Sequence, residues 1–317
     1  MTKPITECYN TDNQKNKKGD IRMAIFTGAG VAIVTPFKEN GEVNFDKLGE
    51  LIDFQVENGT DSIVIVGTTG EASTLTHEEH VECIRYAVQK TAKRIPVVAG
   101  TGSNCTETAV FLTKEAEKAG ADGALVVTPY YNKATQKGLI QHFGTIAKAV
   151  DIPLILYNIP GRTGCNILPA TAATMIKEYD NIIAMKDATG NLQQTLETLE
   201  ACQGDIDIYS GEDALITAMM SIGGKGVISV LSNVAPRDTH DICAKYLAGD
   251  VKGSLELQMK YLSLVRALFS EVNPIPVKKA LNLMGMEVGP MRSPLTEMEE
   301  EHAKVLLAEL KKVGIVK

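Results

Sequence analysis

The sequence has no tryptophan, only 5% aromatic residues, and six cysteines without one CxxC pair. Cys8, Cys83, Cys105, Cys165, Cys202 and Cys243 are scattered, which excludes a zinc ribbon and a disulfide framework and fits reduced thiols in a cytoplasmic protein. No apolar run is long enough to cross a bilayer, so no membrane partner is expected. Basic residues are outnumbered, 32 Lys and Arg against 39 Asp and Glu, giving a net charge of -7 that disfavours nucleic acid as a partner. HExxH is absent: His77 and His80 stand three apart beside Glu78 and Glu79, the pattern of a solvated first helical turn. Gly28-Ala29-Gly30 precedes a strand pattern and lacks a third glycine, which excludes a dinucleotide turn. Neither a metal nor a separate cofactor is expected.

What is there is 44% hydrophobic and 22% charged, enough apolar material for a large core, in 317 residues. Residues 1–22 are polar and without hydrophobic period. They lack the apolar segment of a secretory signal, and Glu7, Asp12 and Asp20 argue against an organelle transit peptide. A disordered extension is expected there.

From Met23 onward one unit repeats, a short β-branched run followed by an amphipathic helical stretch. The runs fall at 30–34, 62–66, 96–99, 124–127, 154–157, 182–186, 206–210 and 227–230. Helical patterns such as 45–57 and 76–91 lie between them, the second opened by a Thr76-to-Glu79 capping box. Strands alternating with helices imply a parallel sheet with right-handed crossovers, and eight of them close into a TIM (β/α)8 barrel. The expected division is a barrel catalytic domain at 23–235 and a C-terminal helical domain at 236–317, with helices at 250–269, 276–284 and 296–313.

A barrel of this kind carries its chemistry at the carboxyl ends of its strands. The sixth run, Ile182-Ile183-Ala184-Met185, ends in Lys186. Most lysines so placed mark where a strand leaves the core. An amine held in a partly desolvated pocket is instead a nucleophile that attacks a ketone to form a Schiff base. The other strand ends favour that chemistry. Gly67-Thr68-Thr69-Gly70 can turn N–H groups and hydroxyls toward a carboxylate. Tyr157, on the neighbouring strand, can move protons during carbinolamine formation and dehydration. Arg162, in a Pro-Gly loop five residues on, is a fork for a second carboxylate.

These residues resemble the dihydrodipicolinate synthases, also called 4-hydroxy-tetrahydrodipicolinate synthases, of the Schiff-base-forming aldolase superfamily. The similarity runs from about Phe26 to the C-terminus through Gly67-Thr68-Thr69-Gly70-Glu71, Thr128-Pro129-Tyr130-Tyr131-Asn132, Leu156-Tyr157-Asn158-Ile159-Pro160-Gly161-Arg162-Thr163-Gly164, Lys186, Gly226-Val227-Ile228-Ser229-Val230 and Asn273-Pro274-Ile275-Pro276-Val277-Lys278. The resemblance implies that pyruvate forms a Schiff base with Lys186 and, as its enamine, attacks L-aspartate 4-semialdehyde, the first committed step of the diaminopimelate route to lysine. It assigns proton transfer to Tyr157, a hydroxyl relay to Thr68 and Tyr131, and the pyruvate carboxylate to Thr69. Arg162 would hold the semialdehyde carboxylate, with Gly211 and the Ile228 carbonyl lining the pocket. Tyr131 would enter a neighbouring subunit's site within a tetramer of two tight dimers.

The resemblance also implies an allosteric lysine pocket built from His77, His80, Asn104 and Tyr130. Here the usual serine after GTTGE is Ala72, and the usual glutamate is Thr108, with Glu107 one residue early. Weak or absent lysine inhibition is expected. The alternatives are another pyruvate aldolase, of the N-acetylneuraminate lyase or 2-keto-3-deoxy sugar acid type, and a non-catalytic ligand-binding barrel.

Overall fold

A computed structural model of the chain describes residues 24–317, so the disordered extension expected at 1–22 lies outside the described residues. Eight parallel strands close on themselves in chain order: β1 (Gly28–Ala32), β2 (Ser62–Ile65), β3 (Val97–Gly100), β4 (Gly123–Val127), β5 (Leu154–Asn158), β6 (Ile182–Asp187), β7 (Asp207–Ser210) and β8 (Gly226–Ser229). β8 pairs back onto β1, which completes the (β/α)8 barrel read from the alternating runs. The boundary differs most at β1, which ends at Ala32 instead of 34. The Val34 N–H is taken by the Asn233 side-chain oxygen at 3.2 Å, so a side chain replaces the ladder there.

The helices are α1 (Phe45–Glu57), α2 (His77–Thr91), α3 (Thr106–Ala119), α4 (Gln136–Ala147), the one-turn α5 (Pro160–Thr163), α6 (Pro169–Glu178), α7 (Leu192–Ala201), α8 (Ile216–Ser221), α9 (Pro236–Leu247), α10 (Val251–Leu268), α11 (Ile275–Leu283) and α12 (Glu300–Lys312). Thr76 caps α2 in a full capping box with Glu79, as the spacing predicts, and Asn44 and Asp250 cap α1 and α10 through their side chains. Ile242 and Cys243 of α9 pack on Ala29 of β1 and Val227 of β8. That helix therefore covers the barrel's last seam. We propose that the barrel unit runs through Leu247 and that α10 to α12 form the extension.

Period two along the strands sorts the side chains into two layers, with one interruption in β6, where Leu154 pairs with Ile182 but Ile155 with Ala184, so that Ile182 and Met185 share a face. Leu154, Leu156, Ile182 and Met185 face outward, in a core with Phe143 and Met175 of the surrounding helices. Ile155, Tyr157 and Ala184 face inward, with Val64, Val98, Leu125 and Ile228. Lys186, two residues beyond Ala184, shares the inward face. Its neighbour Asp187 is fixed by accepting from the Thr189 N–H at 2.8 Å and the Thr195 hydroxyl at 2.7 Å. No helix among the described residues is long and apolar enough to cross a membrane, and no disulfide joins the five described cysteines.

Candidate active site

Register brings the first pair together. β5 and β6 run side by side with Tyr157 opposite Lys186, and both side chains point into the barrel. The Lys186 Nζ lies 4.3 Å from the centroid of the Tyr157 ring, and both residues are buried. A cation on a ring face is attracted to it, and a phenol beside an amine is placed for proton exchange. Glu212 and Asp213 follow β7 close by. Burial raises both carboxyls above the ordinary carboxylate range, and the Lys186 charge opposes that rise. Asp213 accepts the N–H groups of Val230 and Leu231 at 3.0 and 2.9 Å, which fixes the chain just past β8.

The Gly67–Gly70 loop sits between two residues in the left-handed backbone region, Val66 at φ 48° and Glu71 at φ 54°. A β-branched residue there is strained, and such strain collects at functional sites. Three of the loop's carbonyls are occupied: Gly67 accepts from Ala72 N–H, Thr68 from Glu71 N–H, and Gly70 from the Thr35 hydroxyl at 2.7 Å. Among the described residues, the Thr68, Thr69 and Gly70 N–H groups donate to no carbonyl, which leaves them free for an anion.

A cavity of about 380 Å³ is lined by Thr68, Tyr157 and Arg162 together with His77, His80 and Tyr130. Ala72 and Thr108 line the same space. Lys186, Thr69, Gly211 and Ile228 lie off that lining; Lys186 joins it through contact with Tyr157, and Ile228 through the same interior core. Gly211 is held by its N–H bond to the Asp187 carbonyl at 2.7 Å. A Cβ at that position would come within 2.6 Å of the Ala188 Cβ, so a glycine is needed where β6 and β7 end together.

Two residues stand apart. Tyr131 is 90% exposed, at φ 74°, and is not in the cavity lining. Asn104 is also off the lining, its carbonyl accepting from the Asn132 side chain at 2.9 Å. His80 is committed locally: its Nε2 lies 2.7 Å from the Gly100 carbonyl, and burial holds its imidazole below the ordinary histidine range.

The C-terminal segment reaches the site, a contact to which the sequence reading gave no role. The Asn273 amide donates to the Thr69 hydroxyl at 2.9 Å, and the Asn273 carbonyl accepts from Arg162 at 3.2 Å. Five residues on, Lys278 is buried against Glu71 at 2.8 Å. The motif Asn273-Pro274-Ile275-Pro276-Val277-Lys278 was the signal. Its partners lie 111 to 207 residues away in sequence, so spacing could not reveal them.

The model of the dihydrodipicolinate synthetase family matches residues 25–313. The chain belongs to that family. A relative from Lachnoclostridium phytofermentans named 4-hydroxy-tetrahydrodipicolinate synthase is 70% identical over 93% of this chain and the whole of its own. The crystal structure of dihydrodipicolinate synthase from Aquifex aeolicus superposes with a TM-score of 0.90 at 48% identity, covering 92% of this chain and 99% of that one. The structure of the Acinetobacter baumannii dihydrodipicolinate synthase complexed with pyruvate gives a TM-score of 0.89 at 46% identity, again over 92% and 99%. Membership in this family matches the resemblance drawn from the strand-end motifs. Among the described residues no group of three His, Cys, Asp or Glu side chains could hold a metal ion.

Proposed function

We propose that this protein is a 4-hydroxy-tetrahydrodipicolinate synthase, a lyase that condenses pyruvate with L-aspartate 4-semialdehyde through a Schiff base on Lys186. The observation that carries the reading is the Lys186 amine, buried at the end of β6 with its Nζ 4.3 Å from the Tyr157 ring centre. The 70% identical relative bears the same name.

The Lys186 amine adds to the pyruvate C2 carbonyl, and Tyr157 passes a proton to the departing hydroxyl, so water leaves and the imine forms. The Thr69 hydroxyl and the free N–H groups of its loop receive the pyruvate carboxylate, while Arg162 receives the carboxylate of the semialdehyde. Loss of a C3 proton gives the enamine, whose C3 attacks the aldehyde carbon to make the new carbon–carbon bond. The semialdehyde's amino group then adds to the imine carbon and displaces the lysine, closing the ring. One water is lost overall. Thr68 and Tyr131 complete the hydroxyl relay, and Gly211 and the Ile228 carbonyl line the floor.

Tyr131 is the reason to propose an oligomer. Nine-tenths exposed and off its own chain's cavity, it suits a side chain that serves a neighbouring copy, within a tetramer built as a dimer of dimers. A cytoplasmic location and the absence of any separate cofactor belong to the same proposal. A sugar-acid aldolase would need hydroxyl-reading groups where Arg162 stands. A non-catalytic barrel would have no use for the lysine and tyrosine pair.

The test is intact-mass measurement after borohydride treatment with pyruvate, comparing wild type with Lys186→Ala and following semialdehyde consumption. A pyruvate-sized adduct on wild type only, with turnover, supports the reading. An adduct without turnover points to another pyruvate aldolase, and no adduct points to the non-catalytic barrel.

A further inference from the structure

Asn273 lies two residues before α11, far in sequence from every strand end, yet it touches both groups that would hold substrate carboxylates. Its Nδ2 donates to Thr69 Oγ1 at 2.9 Å, and its backbone carbonyl accepts from Arg162 Nη2 at 3.2 Å. The residue is buried, and its Oδ1 has no hydrogen-bond partner among the described residues. Its position is held from behind. α11 is bolted to the same loop through the buried Lys278–Glu71 pair, and Glu71 also accepts the Arg292 N–H at 3.2 Å.

A threonine hydroxyl carries one hydrogen and can point it only one way. When a neighbour donates to its oxygen, that hydrogen is left for another acceptor; when a neighbour accepts, the hydrogen is spent. We propose that Asn273 is a positioning residue, whose amide occupies the Thr69 oxygen and so aims the Thr69 hydrogen at the carboxylate of the first substrate. The proposal rests on the synthase reading above. The backbone carbonyl keeps Arg162 in place independently of the side chain, so the two subsites respond differently to substitution at this position.

Asn273→Asp is the informative variant. It is nearly isosteric, but its carboxylate can only accept, so it takes the Thr69 hydrogen and faces the incoming carboxylate with like charge. A hydrogen bond to a charged group is at stake, and the KM for pyruvate should rise roughly tenfold or more, with Asn273→Ala intermediate. The KM for the semialdehyde should change far less, because Arg162 is held by the backbone. The rate of borohydride-trapped adduct formation at low pyruvate should fall in parallel and recover at saturating pyruvate. A purely structural role would instead lower the unfolding temperature and move both KM values together.

Pyruvate KM values of Asn273→Asp and Asn273→Ala within twofold of wild type would overturn the proposal. So would a tolerated Asp with a damaging Ala, since that pattern means the amide oxygen, not its N–H, faces Thr69. If wild type itself forms no pyruvate adduct, the synthase reading fails first. An intact wild-type adduct with unaffected variants fails this inference alone.

Discussion

Glu71 and Lys278 form an ion pair at 2.8 Å with both side chains almost fully out of solvent. Glu71 ends the loop after β2, and Lys278 lies in α11, so the pair fastens the C-terminal extension to the mouth of the barrel. Lys278 also donates to the Pro290 carbonyl at 2.7 Å and lies 4.4 Å from the centre of the Phe37 ring. Burial pulls its amine below the ordinary lysine range, and the Glu71 charge opposes that shift. Removing one member leaves the other charge buried and uncompensated. Lys278→Met should therefore cost about 3–5 kcal/mol in urea unfolding. Adding Glu71→Gln to Lys278→Met should recover part of that loss, and a single variant within about 1 kcal/mol of wild type would show the pair to be dispensable.

Tyr157→Phe keeps the ring beneath the Lys186 amine and removes only the hydroxyl. Turnover should fall about 10²–10⁴-fold, while the pyruvate adduct still forms, more slowly. Stopped-flow adduct formation beside steady-state rates checks this; unchanged turnover would exclude Tyr157 from proton transfer.

Tyr131 predicts complementation between inactive subunits. Tyr131→Phe and Lys186→Ala should each be nearly inactive alone. Mixed, dissociated and reassembled, they should regain about a quarter of wild-type activity, because random pairing restores one complete site in each mixed dimer. No recovery, with mixed oligomers verified by native mass spectrometry, would place Tyr131 in its own chain's site.

The cavity wall formed by His77, His80 and Tyr130 also carries Ala72 and Thr108. It thus lacks a carboxylate to pair with a lysine amino group. Lysine should inhibit weakly or not at all, and Ala72→Ser with Thr108→Glu should increase whatever inhibition there is. Half inhibition of wild type at submillimolar lysine would refute this.

His142 gives the fold an acid limit. It is buried, its Nδ1 is 2.9 Å from the Thr106 hydroxyl and its Nε2 has no partner among the described residues; burial pulls its pKa from 6.5 to about 4. In that interval the unfolded chain takes up a proton that the folded chain refuses. The penalty is therefore negligible above about pH 7.5, grows as pH falls through 6.5, and reaches about 2 kcal/mol near pH 5. His142→Gln should lose less stability than wild type between about pH 7.5 and pH 5, measured as urea midpoints. Equal losses would mean that His142 protonates in the folded state.

The sequence by itself determined the barrel and which residues stand at its rim. Strand and helix periodicities are local, as is the Thr76 cap, and residues at strand ends share one rim whatever the loops do. Lys186, Tyr157 and Thr68 could therefore be grouped before any coordinate was known. Only the tertiary structure decided that Tyr157 stands opposite Lys186 in register, that α9 closes the barrel's seam, and that Asn273 and Lys278 reach Thr69, Arg162 and Glu71. Those contacts join residues more than a hundred positions apart in most cases. They arise where the barrel closes and the extension folds back over it, which no local pattern encodes.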